Sequence, residues 1–91
     1  MYKENINMSY VPVIREFIVE NFLFGDGKHL KNNSLLIEDG IIDSTGVVEL
    51  IAFIEENYNV KLSDEELIQE NFSSLIAVDK FLESKLNNST V

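Results

Sequence analysis

Three stretches of this chain repeat apolar residues every three to four positions, and no segment alternates with period two. That single pattern restricts the fold to helices, because a strand needs its apolar side chains at every second residue. In the first stretch Val11, Ile14, Phe17, Ile18 and Phe22 fall on one stripe. Ser9 is placed to cap that helix, Pro12 falls in its first turn where a missing N–H does no harm, and Gly25-Asp26-Gly27 ends it. The second stretch opens at Asp43-Ser44 and carries Val47, Leu50, Ile51, Ile54 and Tyr58 as the stripe of a longer helix. A fourth helix from about Ser74 turns Leu75, Val78, Phe81, Leu82 and Leu86 inward. Between these, Ser63 and Glu66 stand at capping-box spacing and predict a short third helix. The expected architecture is all-α: a four-helix bundle of three longer helices and one short third one.

Residues 25 to 42 form the exception. These 18 residues have no helical pattern, and a connection that long in a compact domain is usually functional or disordered. Leu30, Leu35, Leu36, Ile37, Ile41 and Ile42 predict that it folds back over the bundle as a structured loop between helices 1 and 2.

Composition narrows the function. With 91 residues the chain is expected to be one domain, its core spanning about residues 9–86 with a polar tail at 87–91. Sixteen acidic against seven basic residues give a net charge of −9, split as −3 over residues 1–45 and −6 over 46–91. Such a surface does not suit a nucleic-acid backbone and points to basic protein partners. There is no cysteine, so no disulfide, thiolate nucleophile or sulfur metal site is available, in keeping with a cytoplasmic setting. No apolar run approaches the roughly 20 residues of a membrane span, and Met1-Tyr2-Lys3-Glu4-Asn5 has no signal-peptide character. A monomer is expected.

Enzymatic chemistry has little to work with. His29, the only histidine, lies in a polar loop with no serine or cysteine beside it and reads as a surface residue. Gly25, Gly27, Gly40 and Gly46 fit no phosphate-cradling template. The acidic run from Glu38 to Glu49 has the length of a calcium loop, but Gly40 and Ile42 occupy ligand positions. Asp64-Glu65-Glu66 is the favourable acidic first turn of a helix. Ser44 differs from these. It stands where the long loop meets the longest predicted helix, with Asp43 beside it as N-cap, so its hydroxyl is exposed and a phosphate attached to it would meet the positive end of the helix. On position alone, Asp43-Ser44 also reads simply as a capping pair.

The surrounding residues, Leu35-Leu36-Ile37-Glu38-Asp39-Gly40-Ile41-Ile42-Asp43-Ser44-Thr45-Gly46-Val47-Val48-Glu49-Leu50, resemble the phosphopantetheine attachment region of the acyl and peptidyl carrier protein family. The resemblance continues through Glu55-Glu56-Asn57-Tyr58 and Leu62-Ser63-Asp64-Glu65-Glu66-Leu67, and covers about residues 9–86 in helix order and spacing. It implies that a phosphopantetheinyl transferase attaches 4′-phosphopantetheine from coenzyme A to Ser44, and that the arm's thiol carries acyl or aminoacyl groups as thioesters. The protein would then be a non-catalytic carrier, loaded by an adenylating ligase or acyltransferase and visited by downstream biosynthetic enzymes. Thr45 stands where leucine is commonest in the family and Gly46 where the next residue is often polar. Gly46 costs a helix up to about 1 kcal/mol relative to Ala. Two readings of it stand side by side, close approach of a partner or no role.

With its stripe turned inward, the second helix sends Thr45, Val48, Glu49, Ala52, Glu55 and Glu56 outward. Beside Ser44 this mixture of carboxylates and small apolar groups has the character of a docking face for a basic partner. Phe53 falls between the two faces and is assigned to neither. Thr45 tilts the reading toward a dedicated secondary-metabolite, nonribosomal peptide or polyketide pathway. A housekeeping fatty-acid carrier and a D-alanyl carrier are the alternatives, and an unmodified acidic helical module is the alternative of a different class.

Overall fold

The computed structural model describes residues 10–87. Three α-helices make up its frame: α1 (Val11–Phe22), α2 (Ser44–Tyr58) and α3 (Leu75–Asn87). Among the described residues there is no strand, as the missing period-two pattern requires. The expected stripes meet in one core, where Ile14, Ile18, Leu50, Ile54, Leu75, Val78 and Leu82 are fully enclosed. Phe17, Phe22, Val47, Ile51, Tyr58, Phe81 and Leu86 pack against it from the flanks. Phe53 joins them by stacking on Phe17, with ring centroids 4.3 Å apart. α1 packs against both α2 and α3.

The short third helix expected after Ser63 is present in residues 63–72, but split in two. These residues form two 3₁₀ turns, Asp64–Glu66 and Gln69–Phe72. The Ser63 N–H donates to Glu66 Oε1 at 2.9 Å, as its spacing promised, and the Glu66 N–H donates to the Ser63 carbonyl. Leu67 then leaves helical geometry, with φ −88° and ψ 58°, and the turn stops. Lys85 of α3 reaches Glu66 at 3.1 Å and ties the turn to the last helix. The Ser63 N–H first, and then Lys85, hold the Glu66 carboxyl below the ordinary glutamate range.

The start of α1 differs too. Its N-cap is Tyr10, whose side chain makes no cap; instead the Tyr10 N–H donates to the buried carboxylate of Asp79 at 2.7 Å. Ser9, expected in that role, lies outside the described residues. Asn87, placed in the polar tail by its sequence, closes α3; the rest of that tail lies outside the described residues.

The long connection from Gly25 to Ile42 is structured, and hydrogen bonds hold it to the bundle. The Leu36 N–H reaches the Ser73 carbonyl at 2.9 Å, and the Ile76 N–H reaches the Asn32 carbonyl at 3.1 Å. Arg15 on α1 donates to the Asn32 side chain at 2.9 Å. Leu30, Leu36 and Ile42 are buried as expected, while Leu35 and Ile37 point to solvent. The Leu36 carbonyl accepts from both the Ile41 and Ile42 N–H groups, at 2.9 and 3.0 Å, and this aims the chain into α2.

Candidate functional site

The start of α2 is a rigid platform. Asp43 is extended and caps the helix, its Oδ1 accepting from the Gly46 N–H at 2.8 Å while its carbonyl takes the Val47 N–H at 3.0 Å. Behind it Ile42 is buried, and Gly46 is buried one residue beyond Thr45. A methyl group on Gly46 would stand 3.0 Å from Ile42 Cβ and 3.1 Å from Phe22 Cε1. The glycine therefore answers to a close approach inside the molecule, between the helix start, Ile42 and the end of α1, and neither sequence reading of it described this. Ser44, the first residue of α2, is exposed on top of this platform. The amides at the very start of a helix have no intrahelical partner, so negative charge beside Ser44 is favoured.

Ser44 stands on the rim of an apolar groove of about 360 Å³ between α2 and the second 3₁₀ turn. Ile37, Val47, Ile51, Leu67, Ile68 and Phe72 supply its apolar lining, with Glu38, Gln69 and Ser73 at polar positions. Ile37, Leu67 and Ile68 are all exposed apolar residues. The sequence did not assign Leu67 and Ile68 to a site, because they link two 3₁₀ turns and so lack the 3.6-residue phase that signals a buried face. Gln69 Nε2 approaches Glu38 Oε2 at 3.4 Å across the groove's edge.

Thr45, Val48, Glu49, Ala52 and Glu56 are exposed on the outer side of α2. Glu55 is a correction to that set: it is half-buried, and its Oε2 accepts from the Leu62 N–H at 2.9 Å, so it fastens the chain after α2. The whole stretch from Asn32 to Val60 contains no Lys, Arg or His and carries Glu38, Asp39, Asp43, Glu49, Glu55 and Glu56. The region around Ser44 is thus a field of one sign. His29 is exposed on the loop after α1, as its setting suggested. Among the described residues no group of three or more His, Asp or Glu gathers to hold a metal ion, and no helix is long and apolar enough to cross a membrane.

Among the described residues the fold is a small all-α bundle, three helices with a structured first loop feeding an exposed serine. No protein-family model matches the chain. It is similar to the acyl carrier protein of Wolinella succinogenes, 34% identical over 77 residues that cover 85% of this chain and 97% of that protein. It is also similar to the acyl carrier protein of Buchnera aphidicola subsp. Baizongia pistaciae, 43% identical over 49 residues, or 54% of this chain. In that second match the chain spans 60% of the relative's length. The chain belongs to the acyl carrier protein family.

Proposed function

We propose that this protein carries acyl groups as thioesters on a 4′-phosphopantetheine arm joined to Ser44, in a dedicated biosynthetic pathway. The observation that carries the reading is the exposed Ser44 hydroxyl on a capped helix start, beside an apolar groove and among carboxylates. The residues present suit the group. In attachment the Ser44 oxygen forms a bond to phosphorus as the pyrophosphate link of coenzyme A breaks. Adenosine bisphosphate departs, and the serine proton passes to a base of the transferase. Ser44 would hold the phosphodiester at the positive end of α2, where the Asp43 cap is already engaged on the Gly46 N–H.

When bound, the arm supplies the thiol that this cysteine-free chain lacks. The chain's own residues do the rest. Ile37, Val47, Ile51, Leu67, Ile68 and Phe72 offer an aliphatic chain partial shelter from water. That lining favours acyl over aminoacyl cargo, as do the names of both relatives. Thr45, Val48, Glu49, Ala52 and Glu56 present carboxylates and small apolar groups to partners, a combination that gives fast encounter and weak, exchangeable contact. Tethering raises the cargo's effective concentration at whichever enzyme is docked. The preference for a dedicated pathway over housekeeping fatty-acid synthesis rests on Thr45, a small polar residue next to the attachment position.

The test uses the missing cysteine. The purified chain, treated with coenzyme A and a phosphopantetheinyl transferase, goes from no titratable thiol to one per chain. A folded sample that stays at zero with several transferases contradicts the proposal and favours an unmodified acidic module.

A further inference from the structure

Phe24 is the most exposed large apolar residue described, at 101% relative accessibility. Its backbone has φ +55°, the left-handed region that a bulky side chain avoids. The other non-glycine described residue there is Asn59, which sits at the C-cap of α2 and belongs to a residue type that tolerates the conformation. Glycine is the usual residue at a position such as Phe24. The conformation is held: the Gly25 N–H donates to the Val19 carbonyl and the Asp26 N–H to the Leu23 carbonyl, each at 2.9 Å. The chain thus carries an aromatic ring in a conformation unfavourable to it and exposes the whole ring to water.

The ring borders a hollow that includes Phe22, Asp26, His29 and Ile41. Phe22 and Ile41 also line a second hollow that ends at Asp43 and Ser44. The shared Phe22 and Ile41 therefore join the two hollows into an apolar path from Phe24 to the serine. Asp26 and Asp43 border this path, and only His29 among its lining residues is a basic type. The chain's net charge of −9 opposes a second copy as the occupant and suits a partner with a basic surface.

We infer that Phe24 is a docking anchor, inserted into an apolar, basic-rimmed pocket of the transferase that modifies Ser44. The inference rests on the attachment reading above. The experiment compares wild type, Phe24→Gly and Val13→Ser as substrates of a phosphopantetheinyl transferase with coenzyme A, by initial rates. Val13 is an exposed apolar residue on α1 and serves as the control. Phe24→Gly suits the left-handed backbone, so it keeps the helical circular-dichroism spectrum and melts no lower than wild type. Its KM rises about 10- to 30-fold with kcat unchanged, the signature of a lost binding anchor, while Val13→Ser matches wild type. An unchanged KM for Phe24→Gly overturns the assignment. So does a wild type that sediments as a dimer when Phe24→Gly does not, which makes a second copy the occupant. A wild type that takes no phosphopantetheine removes the attachment reading itself, and this inference with it.

Discussion

Replacing Gly46 by alanine sets two effects of opposite sign against each other. Helix propensity favours alanine by up to about 1 kcal/mol, less near a helix start. Against it, the added methyl would stand 3.0 Å from Ile42 Cβ and 3.1 and 3.3 Å from two carbons of the Phe22 ring. Carbon atoms prefer separations of about 3.5–4.0 Å. Ile42 is buried and fixed by its N–H bond to the Leu36 carbonyl, so that contact yields little. Phe22 is half-buried, edge-to-face with Phe17, and has some room to give. Overpacking of this kind costs about 1–3 kcal/mol, so the net effect is a loss of about 1 kcal/mol, or a melting temperature lower by about 4–8 °C in a chain of this size. Thermal melts followed by circular dichroism measure it. Adding Phe22→Leu to the Gly46→Ala chain recovers part of the loss, judged against Phe22→Leu alone. A Gly46→Ala protein that melts at or above wild type would refute the packing argument and leave propensity as the dominant effect.

Other outcomes follow from single contacts. Asp43→Ala removes the α2 cap and lowers stability by about 0.5–2 kcal/mol in urea titrations, whereas Asp43→Asn retains most of it. Glu66 has a folded-state pKa below its unfolded one, so its stabilising contribution is present above the ordinary glutamate value of 4.5 and is lost as pH falls through the depressed folded value. The difference in melting temperature between wild type and Glu66→Gln therefore shrinks on acidification; a difference constant from neutral to acid pH would contradict the pairing with Ser63 and Lys85. The Tyr58 hydroxyl is buried and makes no hydrogen bond of good geometry among the described residues; burial, then Tyr10, raises its pKa against a weaker opposing contact with Asn57. Tyr58→Phe is accordingly neutral or stabilising by up to about 1 kcal/mol in the same melts.

The parts legible in the sequence are those with local causes. The stripes of Ile14 and Ile18, Leu50 and Ile54, and Leu75, Val78 and Leu82 marked the buried faces, because helical spacing alone determines which side chains share a side. Asp43 and Ser44 were legible for the same reason, since capping needs only three consecutive residues beyond the cap. What escaped depends on neighbours distant in the chain. Gly46 is explained by Phe22, Phe53 by Phe17, and Glu55 by the Leu62 amide. The groove escaped because Leu67 and Ile68 lie between two 3₁₀ turns, without periodicity. Leu35 and Ile37 misled, since apolar character in a loop does not say which residue turns in.

The central claim is that Ser44 is the attachment position. Intact-mass measurement of wild type and Ser44→Ala, each treated with coenzyme A and a phosphopantetheinyl transferase, tests it directly. Because Asp43 and not Ser44 caps α2, the Ser44→Ala protein folds and melts like wild type. Wild type gains the mass of one phosphopantetheine and Ser44→Ala gains none. An adduct of the same size on Ser44→Ala, or none on folded wild type, would contradict the account.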